Sequence, residues 1–362
     1  MRLLIILLSI TGLVAVLVST VFLYGNAHKR HSTPEQFADA ESSAFRAYGA
    51  NPEPHFVTLP GSGIRAHYLE SGRGQPLLAI HGGNSMSASW APLVPALAGN
   101  SRLIMVDRPG CGLTDKLNYR SVAFRQHSVE FTREFLDAIG VRKTSIIANS
   151  MGGYFGLAFA LAYPERVDKL ILIGSPPMIN DSAPLPHMLL GIPGLNRFIY
   201  ALRATKESLG GPAKPLSWLY ARPEKLRPES VAAQQSAEAL PGAEMSWLTM
   251  VEEVVRHYKT TYNLKNELAH IKAPALFVIG DMEGAVDTTR ELATTMPNAR
   301  KLIISDAAHI PWVDDTKACE RAILEFLAEA PEEAGTRTRP LNLGTPPTAA
   351  GGNNIAASAH KR

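Results

Sequence analysis

The feature that most constrains the fold is a serine at a sharp junction between a predicted strand and a predicted helix. Residues 144–150 (TSIIANS) are a short β-branched run typical of a buried strand, and residues 151–167 (MGGYFGLAFALAYPERV) are typical of a helix. A strand that turns at once into a helix needs small residues around the turn, and Ala148 and Gly152 meet this need. The pattern predicts a strained backbone at Ser150, with its hydroxyl held clear of the sheet.

An ordinary serine turn can carry the same short motif, so other regions have to support a chemical role. His309 lies within residues 301–315 (KLIISDAAHIPWVDD), after an apolar run and before a predicted helix. Another predicted strand, 274–280, is followed by two carboxylates, Asp281 and Glu283. A single histidine among 11 is usually a surface or packing residue. The order serine, acid, histidine along the chain nevertheless matches one known type of catalytic triad.

A glycine-rich loop upstream supplies candidate backbone donors. Residues 76–90 (PLLAIHGGNSMSASW) are a predicted strand that runs into His81, Gly82 and Gly83. Without side chains, backbone N–H groups at these glycines can approach a substrate oxygen, so Gly83 and Met151 are the predicted oxyanion donors. We interpret His81 as a residue that braces this loop through hydrogen bonds, in preference to a general base.

These stretches resemble the α/β-hydrolase superfamily, which contains esterases, lipases, peptidases and C–C bond hydrolases. The resemblance covers about residues 54–330, where HGG, DRPGCG, ANSMGG with YPERVDKLILIGSPP, and AAHIPW occur in the superfamily's order. The elbow is especially similar to that of the meta-cleavage C–C hydrolases, although those enzymes usually carry Asp as the acid and a more glycine-rich loop. By the same resemblance, Ser150 excludes the dehalogenases and epoxide hydrolases, whose nucleophile is Asp.

The resemblance also selects between the two candidate acids. In the superfamily, the acid usually stands three residues after the glycine that ends its strand, and counting from Gly280 leads to Glu283. Most members have Asp at this position, so this chain departs from the usual pattern. Asp281, the second candidate, is predicted to make turn hydrogen bonds to nearby backbone.

The order of predicted elements indicates an α/β fold. Strands near 55–60, 64–71, 76–81, 102–107, 144–149, 169–174, 274–280 and 300–305 alternate with helices after the first hairpin. We therefore predict a mostly parallel eight-stranded sheet flanked by helices. The predicted units are a hydrolase core in two parts, a helical cap inserted between them and a disordered tail, over 54–177 and 272–330, 178–271 and 331–362, respectively.

The N-terminal segment is the second informative feature. Residues 3–24 contain no charged side chain and are long enough for a bilayer, which needs about 20 residues. This length favours an uncleaved transmembrane helix over residues 1–25, followed by a linker over 26–53, rather than a cleaved signal peptide. Arg2 on one side and Lys29 with Arg30 on the other leave the orientation open. The predicted location is a membrane, with a single-pass N-terminal anchor.

Composition excludes several other classes of function. The net charge of +3 is spread along the chain, so nucleic acid is not an expected partner. The glycine-rich turn in residues 102–115 lacks both G-x-G-x-x-G and a Walker lysine, so we interpret it as turn geometry. Two cysteines do not make a disulfide framework, and no cysteine or histidine cluster has metal-ligand spacing. We predict no metal and no cofactor.

Together, residues and resemblance predict a membrane-anchored serine hydrolase for lipophilic carboxylic esters. Ser150 is the expected nucleophile, His309 the general base, and Glu283 the acid that orients His309. A C–C bond hydrolase or an amidase that uses the same serine is an open alternative. So is a catalytically silent hydrolase fold that acts as a binding module, because a fold alone does not determine function.

Overall fold

Eight strands form one sheet in the computed structural model, which describes residues 2–181, 183–208 and 219–329. Each strand begins within two residues of its predicted position. The predicted disordered tail over 331–362 lies outside the described residues. The strands are β1 (Glu53–Thr58), β2 (Arg65–Ser71), β3 (Gln75–Ile80), β4 (Ser101–Val106), β5 (Thr144–Asn149), β6 (Val167–Ile173), β7 (Ala275–Gly280) and β8 (Ala299–Ile304).

The sheet is mostly parallel, as predicted. Its order is β1-β2-β4-β3-β5-β6-β7-β8, with antiparallel pairing only where β2 meets β1 and β4. The carboxyl ends of β3 and β5–β8 therefore lie along the same edge of the sheet. Ser150 follows β5 directly, while Glu283 and His309 follow β7 and β8 within a few residues. The topology thus places all three candidate triad residues at one edge.

Helices cover both faces of the sheet. Side chains alternate along β5, so Ile146 packs into one apolar cluster with Phe155, and Ile147 packs into the opposite cluster with Phe326. The helices are α1 (Arg2–Ala27), α2 (Pro34–Ala47), α3 (Val94–Leu97), α4 (Phe124–Ala138), α5 (Met151–Ala162), α6 (Leu185–Leu190), α7 (Leu195–Ser208), α8 (Pro228–Glu238), α9 (Ala243–His257), α10 (Val286–Leu292), α11 (Pro311–Asp314) and α12 (Thr316–Ala328).

The segment predicted as a linker contains a docked helix, α2. Thr33 and Gln36 form a capping box at its beginning, which satisfies two backbone N–H groups. Phe37, Ala44 and Phe45 recur at helical spacing and are buried in the core. The predicted linker is therefore attached to the hydrolase core over much of its length, because this spacing gives it an apolar face.

The insertion between β6 and β7 is helical in its described part. Helices α6, α7, α8 and α9 occupy it, within the range 178–271 in which the sequence predicts a cap. Helix α2 packs along α8, and α1 packs along α7. In the described part of the chain, no helix is long and apolar enough to cross a membrane. The structure therefore does not support the predicted transmembrane helix.

Candidate active site

Ser150 occupies the strained turn that its neighbours predict. Its backbone has φ 49° and ψ −115°, a left-handed φ that is uncommon for a residue with a side chain. A side chain on Gly152 would run into the carbonyl oxygen of Ile80, and one on Gly153 would lie 2.9 Å from the ring of Pro176. The two glycines therefore let α5 begin against the end of the sheet. Ser150 is half-buried at the mouth of this turn.

Glu283 and His309 form a direct pair. Glu283 Oε1 lies 2.6 Å from His309 Nδ1 and also accepts the backbone N–H of Ser175 at 2.8 Å. Both side chains are buried, with 7% of Glu283 and 8% of His309 exposed, so water screens the pair weakly. A carboxylate at Nδ1 holds the proton on that nitrogen and leaves Nε2 able to accept one. This is the arrangement that a general base requires.

His309 lies beside the residue that precedes Ser150. A Cβ on Gly174 would be 3.1 Å from His309 Nδ1 and 3.0 Å from Asn149 Nδ2. Gly174 has φ 67°, so a side chain there would be both strained and obstructed. The glycine at the end of β6 therefore makes room for the histidine next to the strand that carries Ser150.

Asp281 is placed differently. Its side chain is exposed, and its carboxylate accepts the backbone N–H of Ala307 at 3.4 Å. The hydrogen bond between the backbone N–H of Asp281 and the carbonyl of Ile304 continues the β7–β8 ladder. Asp281 thus makes the turn contacts predicted for it, while Glu283 takes the position at His309.

The predicted oxyanion loop lies against the serine turn. A Cβ on Gly82 would run into Asn149 Oδ1 and lie 3.5 Å from Ser150 Cβ. A Cβ on Gly83 would be 2.9 Å from the ring of Trp247 and 3.9 Å from Met151 Cβ. Both positions are therefore restricted to glycine by their surroundings. Gly83 and Met151 are neighbours, as their predicted shared role requires.

Arg108 holds this loop, a role that its place in a glycine-rich turn does not indicate. Its side chain is fully buried, with Nε 3.0 Å from the His81 carbonyl oxygen and Nη2 2.6 Å from the Gly82 carbonyl oxygen. The Gly82 carbonyl and the Gly83 N–H belong to the same planar peptide unit. By fixing the carbonyl, Arg108 also fixes the direction of the N–H predicted to bind the oxyanion.

His81 supports the same peptide, which confirms the prediction that it braces the loop. The Arg108 backbone N–H donates to His81 Nε2 at 3.0 Å, so the ring proton is on Nδ1, which donates to the Gly82 carbonyl at 2.9 Å. Burial, together with the positive charge of Arg108, lowers the pKa of His81 to about 3. His81 therefore stays neutral near pH 7 and keeps this tautomer.

A test of this support is the replacement of Arg108 with methionine. We expect kcat to fall roughly 10²-fold with little change in KM, because losing one oxyanion donor costs about that much and the oxyanion forms only in the transition state. The kcat of Arg108→Lys should lie between that of the unaltered protein and that of Arg108→Met. A lysine ammonium cannot bind both carbonyl oxygens in the way that the planar guanidinium does. Steady-state kinetics and thermal unfolding of all three proteins provide the measurement. A lowered melting temperature with unchanged kcat would reduce Arg108 to a structural role.

One group of potential metal ligands occurs among the described residues, outside this site. Glu41, His67 and Asp107 are all buried, with ligating atoms within 4.8 Å of one another. The oxygens of Asp107 already accept hydrogen bonds from His67, from the backbone and hydroxyl of Ser87, and from Leu113. A metal would have to displace these bonds. The donor set therefore fits a buried hydrogen-bond network better than a metal site.

Comparison with known proteins identifies similar chains. A family model described as alpha/beta hydrolase fold matches residues 75–316. A 2-hydroxy-6-oxononadienedioate/2-hydroxy-6-oxononatrienedioate hydrolase of Burkholderia vietnamiensis is 28% identical over 293 residues, which are 75% of this chain and 93% of the relative. A 2-hydroxy-6-oxo-6-phenylhexa-2,4-dienoate hydrolase of Burkholderia cepacia is 28% identical over 288 residues, with 75% and 96% covered. The crystal structure of a Bacillus subtilis carboxylesterase shares the fold, with a TM-score of 0.63, 19% identity, and 82% of this chain and 98% of that chain covered.

Proposed function

The chain belongs to the α/β-hydrolase fold family, and from this premise we propose that it is a serine hydrolase that cleaves carboxylic esters. The observation that carries the proposal is the Glu283–His309 pair, 2.6 Å between Oε1 and Nδ1, at the same sheet edge as the strained Ser150. A hydrolase fold that only binds a ligand, without catalysis, requires neither a strained serine nor a buried carboxylate hydrogen-bonded to a histidine. Both features are costly unless they are used.

In the proposed mechanism, Ser150 Oγ attacks the ester carbonyl and forms a bond to carbon. His309 Nε2 takes the serine proton and then gives it to the departing alkoxide, which leaves an acyl-enzyme. Water repeats the sequence and releases the acid. Glu283 stabilises the imidazolium, while the N–H groups of Gly83 and Met151 bind the negative oxygen in each tetrahedral intermediate.

A specific observation also favours a second candidate, C–C bond hydrolysis. The two bacterial relatives are named as hydrolases of 2-hydroxy-6-oxo dienoates and dienedioates, substrates that carry carboxylates. The cleft beside the oxyanion loop of this chain is lined in part by Trp247, Met250 and Tyr119, and Glu238 is the only charged residue among its described lining. The Glu238 carboxylate is paired with Arg203 at 2.9 Å, and no basic side chain stands in the described lining to bind a substrate carboxylate. This lining supports neutral esters over dienoates.

The experiment compares substrates on one preparation of the full chain. We expect p-nitrophenyl esters of graded acyl length to give kcat/KM roughly 10² above that of 2-hydroxy-6-oxo-6-phenylhexa-2,4-dienoate, because a substrate carboxylate that loses water without gaining a positive partner costs about 1–3 kcal/mol or more. A preference of similar size for the dienoate would replace the ester assignment with C–C hydrolysis. An absence of fluorophosphonate labelling, with no turnover of any substrate, would instead favour the silent binding fold.

Membrane attachment through residues 3–24 is a further part of the proposal and rests on the uncharged run in the sequence. We expect the full chain to sediment with membranes and to resist extraction by high salt. A variant that lacks residues 1–30 should be soluble and active, because this segment contributes no strand to the sheet. Recovery of the full chain in the soluble fraction, with its N-terminus near residue 28, would replace the anchor with a cleaved signal peptide.

A further inference from the structure

A buried carboxylate joins two segments of the chain that meet beside His309. Asp314, the last residue of α11, is fully buried. Its Oδ2 accepts the backbone N–H of Ala308 at 2.8 Å, and Ala308 directly precedes the candidate general base. Asp314 therefore closes the loop that carries His309 between β8 and α11.

The same carboxylate binds a distant part of the chain. Residues 219–225, here called the return segment, belong to the insertion between β6 and β7. Asp314 Oδ2 accepts the N–H of Ala221 at 3.2 Å, and Oδ1 accepts the N–H of Arg222 at 2.8 Å. These donors are 93 and 92 positions away from Asp314 in the sequence. One side chain thus connects the His309 loop to the insertion.

The return segment also binds the other neighbour of His309. The N–H of Ile310 donates to the carbonyl oxygen of Leu219 at 2.9 Å. Ala308 and Ile310 flank His309, so one neighbour is bound to Asp314 and the other to the return segment. The backbone of the histidine is therefore held on both sides.

Two cations of the return segment lie at Asp314. Arg222 Nη1 donates to the main-chain carbonyl oxygen of Asp314 at 3.3 Å, and Lys225 Nζ donates to the same oxygen. A buried carboxylate is costly unless positive charge and hydrogen bonds compensate it, and the return segment supplies both. Undocking this segment would remove two of the three backbone N–H groups that the Asp314 carboxylate accepts.

We propose that Asp314 is a positioning residue that keeps His309 in its productive place while the return segment is docked. This inference rests on the proposed ester hydrolysis, because Asp314 acts through the general base of that reaction. His309 Nε2 has to reach the Ser150 hydroxyl within hydrogen-bond distance, and a displacement of about 1 Å can cost 10²-fold in rate. A movement of the insertion thus becomes a loss of general base catalysis.

The first test replaces Asp314 with asparagine, which keeps the shape of the side chain but removes its charge and one acceptor oxygen. We expect kcat for p-nitrophenyl butyrate to fall roughly 10²-fold with little change in KM, because a displaced base slows the chemical step and leaves substrate binding intact. Steady-state kinetics and thermal unfolding provide the measurement.

Asp315→Asn is the matched control on the neighbouring residue. Asp315 Oδ1 accepts the N–H of Ala318 at 3.0 Å and caps α12, and asparagine caps a helix as well as aspartate does. The kcat of this variant should stay near that of the unaltered protein. Equal kcat values for the folded Asp314→Asn and Asp315→Asn proteins would overturn the proposal.

A double-mutant cycle separates positioning from a purely structural role. If Asp314 acts through His309, Asp314→Asn should change the residual turnover of His309→Ala by less than about twofold, because residues that act as a unit have non-additive effects. A further loss of roughly 10²-fold in the His309→Ala background would show that Asp314 acts independently of the histidine, which contradicts the proposal.

A second readout does not require turnover. The proton between His309 Nδ1 and Glu283 Oε1 lies in a short buried hydrogen bond of 2.6 Å, and it should give a low-field proton NMR signal that Glu283→Gln removes. Asp314→Asn should shift or broaden this signal, and Asp315→Asn should not. An unchanged signal in Asp314→Asn would refute the positioning role. An absence of ester turnover in the unaltered protein would instead refute only the proposed function.

A change at the surface of the return segment tests the same coupling if Asp314→Asn does not fold. Lys225 is exposed and Arg222 is half-buried, so the double variant Arg222→Gln with Lys225→Gln should fold. It removes both cations from the Asp314 carbonyl oxygen and keeps the backbone N–H groups. We expect kcat to fall about fivefold, as for the loss of a typical hydrogen bond, with a shift of the low-field signal. Unchanged kcat and an unchanged signal would overturn the coupling.

Discussion

Replacing Ser150 with alanine is expected to lower ester turnover by a factor on the order of 10⁶, the size of loss seen when a serine hydrolase loses its nucleophile. The mutant lacks the oxygen that forms the acyl-enzyme, so labelling by a fluorophosphonate should also disappear. The His309–Glu283 pair does not depend on the Ser150 hydroxyl, because the carboxylate is held by the Ser175 N–H. Turnover of p-nitrophenyl butyrate and gel detection of the probe supply the two readouts.

Ser145 provides a matched control on the same strand. It lies near the beginning of β5, five residues before Ser150, at the opposite edge of the sheet from the candidate site. Ser145→Ala should keep turnover and labelling near those of the unaltered protein, and thermal unfolding should show both variants folded. Wild-type turnover in folded Ser150→Ala would refute the serine mechanism.

The architecture could be predicted from the sequence because it depends on short-range patterns. Runs such as 274–280 are apolar along their whole length, which is typical of a strand buried on both faces of a parallel sheet. The serine turn was predictable because small residues stand at the junction of strand and helix in the sequence, although the atoms that would obstruct a side chain at Gly152 are backbone atoms of Ile80 and His81 on the neighbouring strand. These patterns predict the eight strands, and they place Ser150 and His309 shortly after two of them.

The contribution of Arg108 to the support of the oxyanion loop was not predictable in this way. In the sequence, Arg108 is one residue of a glycine-rich turn. Nothing near it in the sequence indicates that its guanidinium donates hydrogen bonds to the carbonyl oxygens of His81 and Gly82. A fully buried arginine is rare unless its donors are satisfied, but burial is a property of the fold. The docking of α2 was missed for a related reason, since most of its residues are polar and its apolar face consists of Phe37, Ala44 and Phe45.

The second large effect is expected at Glu283. Replacement with glutamine should reduce turnover by a factor on the order of 10⁴, the loss found when a serine protease triad loses its acid charge. The amide removes the negative charge that stabilises the His309 imidazolium, and its NH₂ group can turn toward Nδ1 and favour the wrong tautomer. Glu283→Asp should retain more activity, because the charge stays and only one methylene is lost. Turnover of one ester by folded proteins is the measurement.

Asp281→Asn is the matched control, and it should cost about tenfold or less, because the asparagine side chain can still accept the Ala307 N–H. The contrast follows from burial. Glu283 is 7% exposed and lies 2.6 Å from His309, so its charge acts through a poorly screened medium, whereas the Asp281 carboxylate is exposed to water. A larger loss from Asp281→Asn than from Glu283→Gln would move the acid to Asp281. Small losses of equal size from both substitutions would place the catalytic acid elsewhere in the chain. The Glu283–His309 pair would then have no catalytic role.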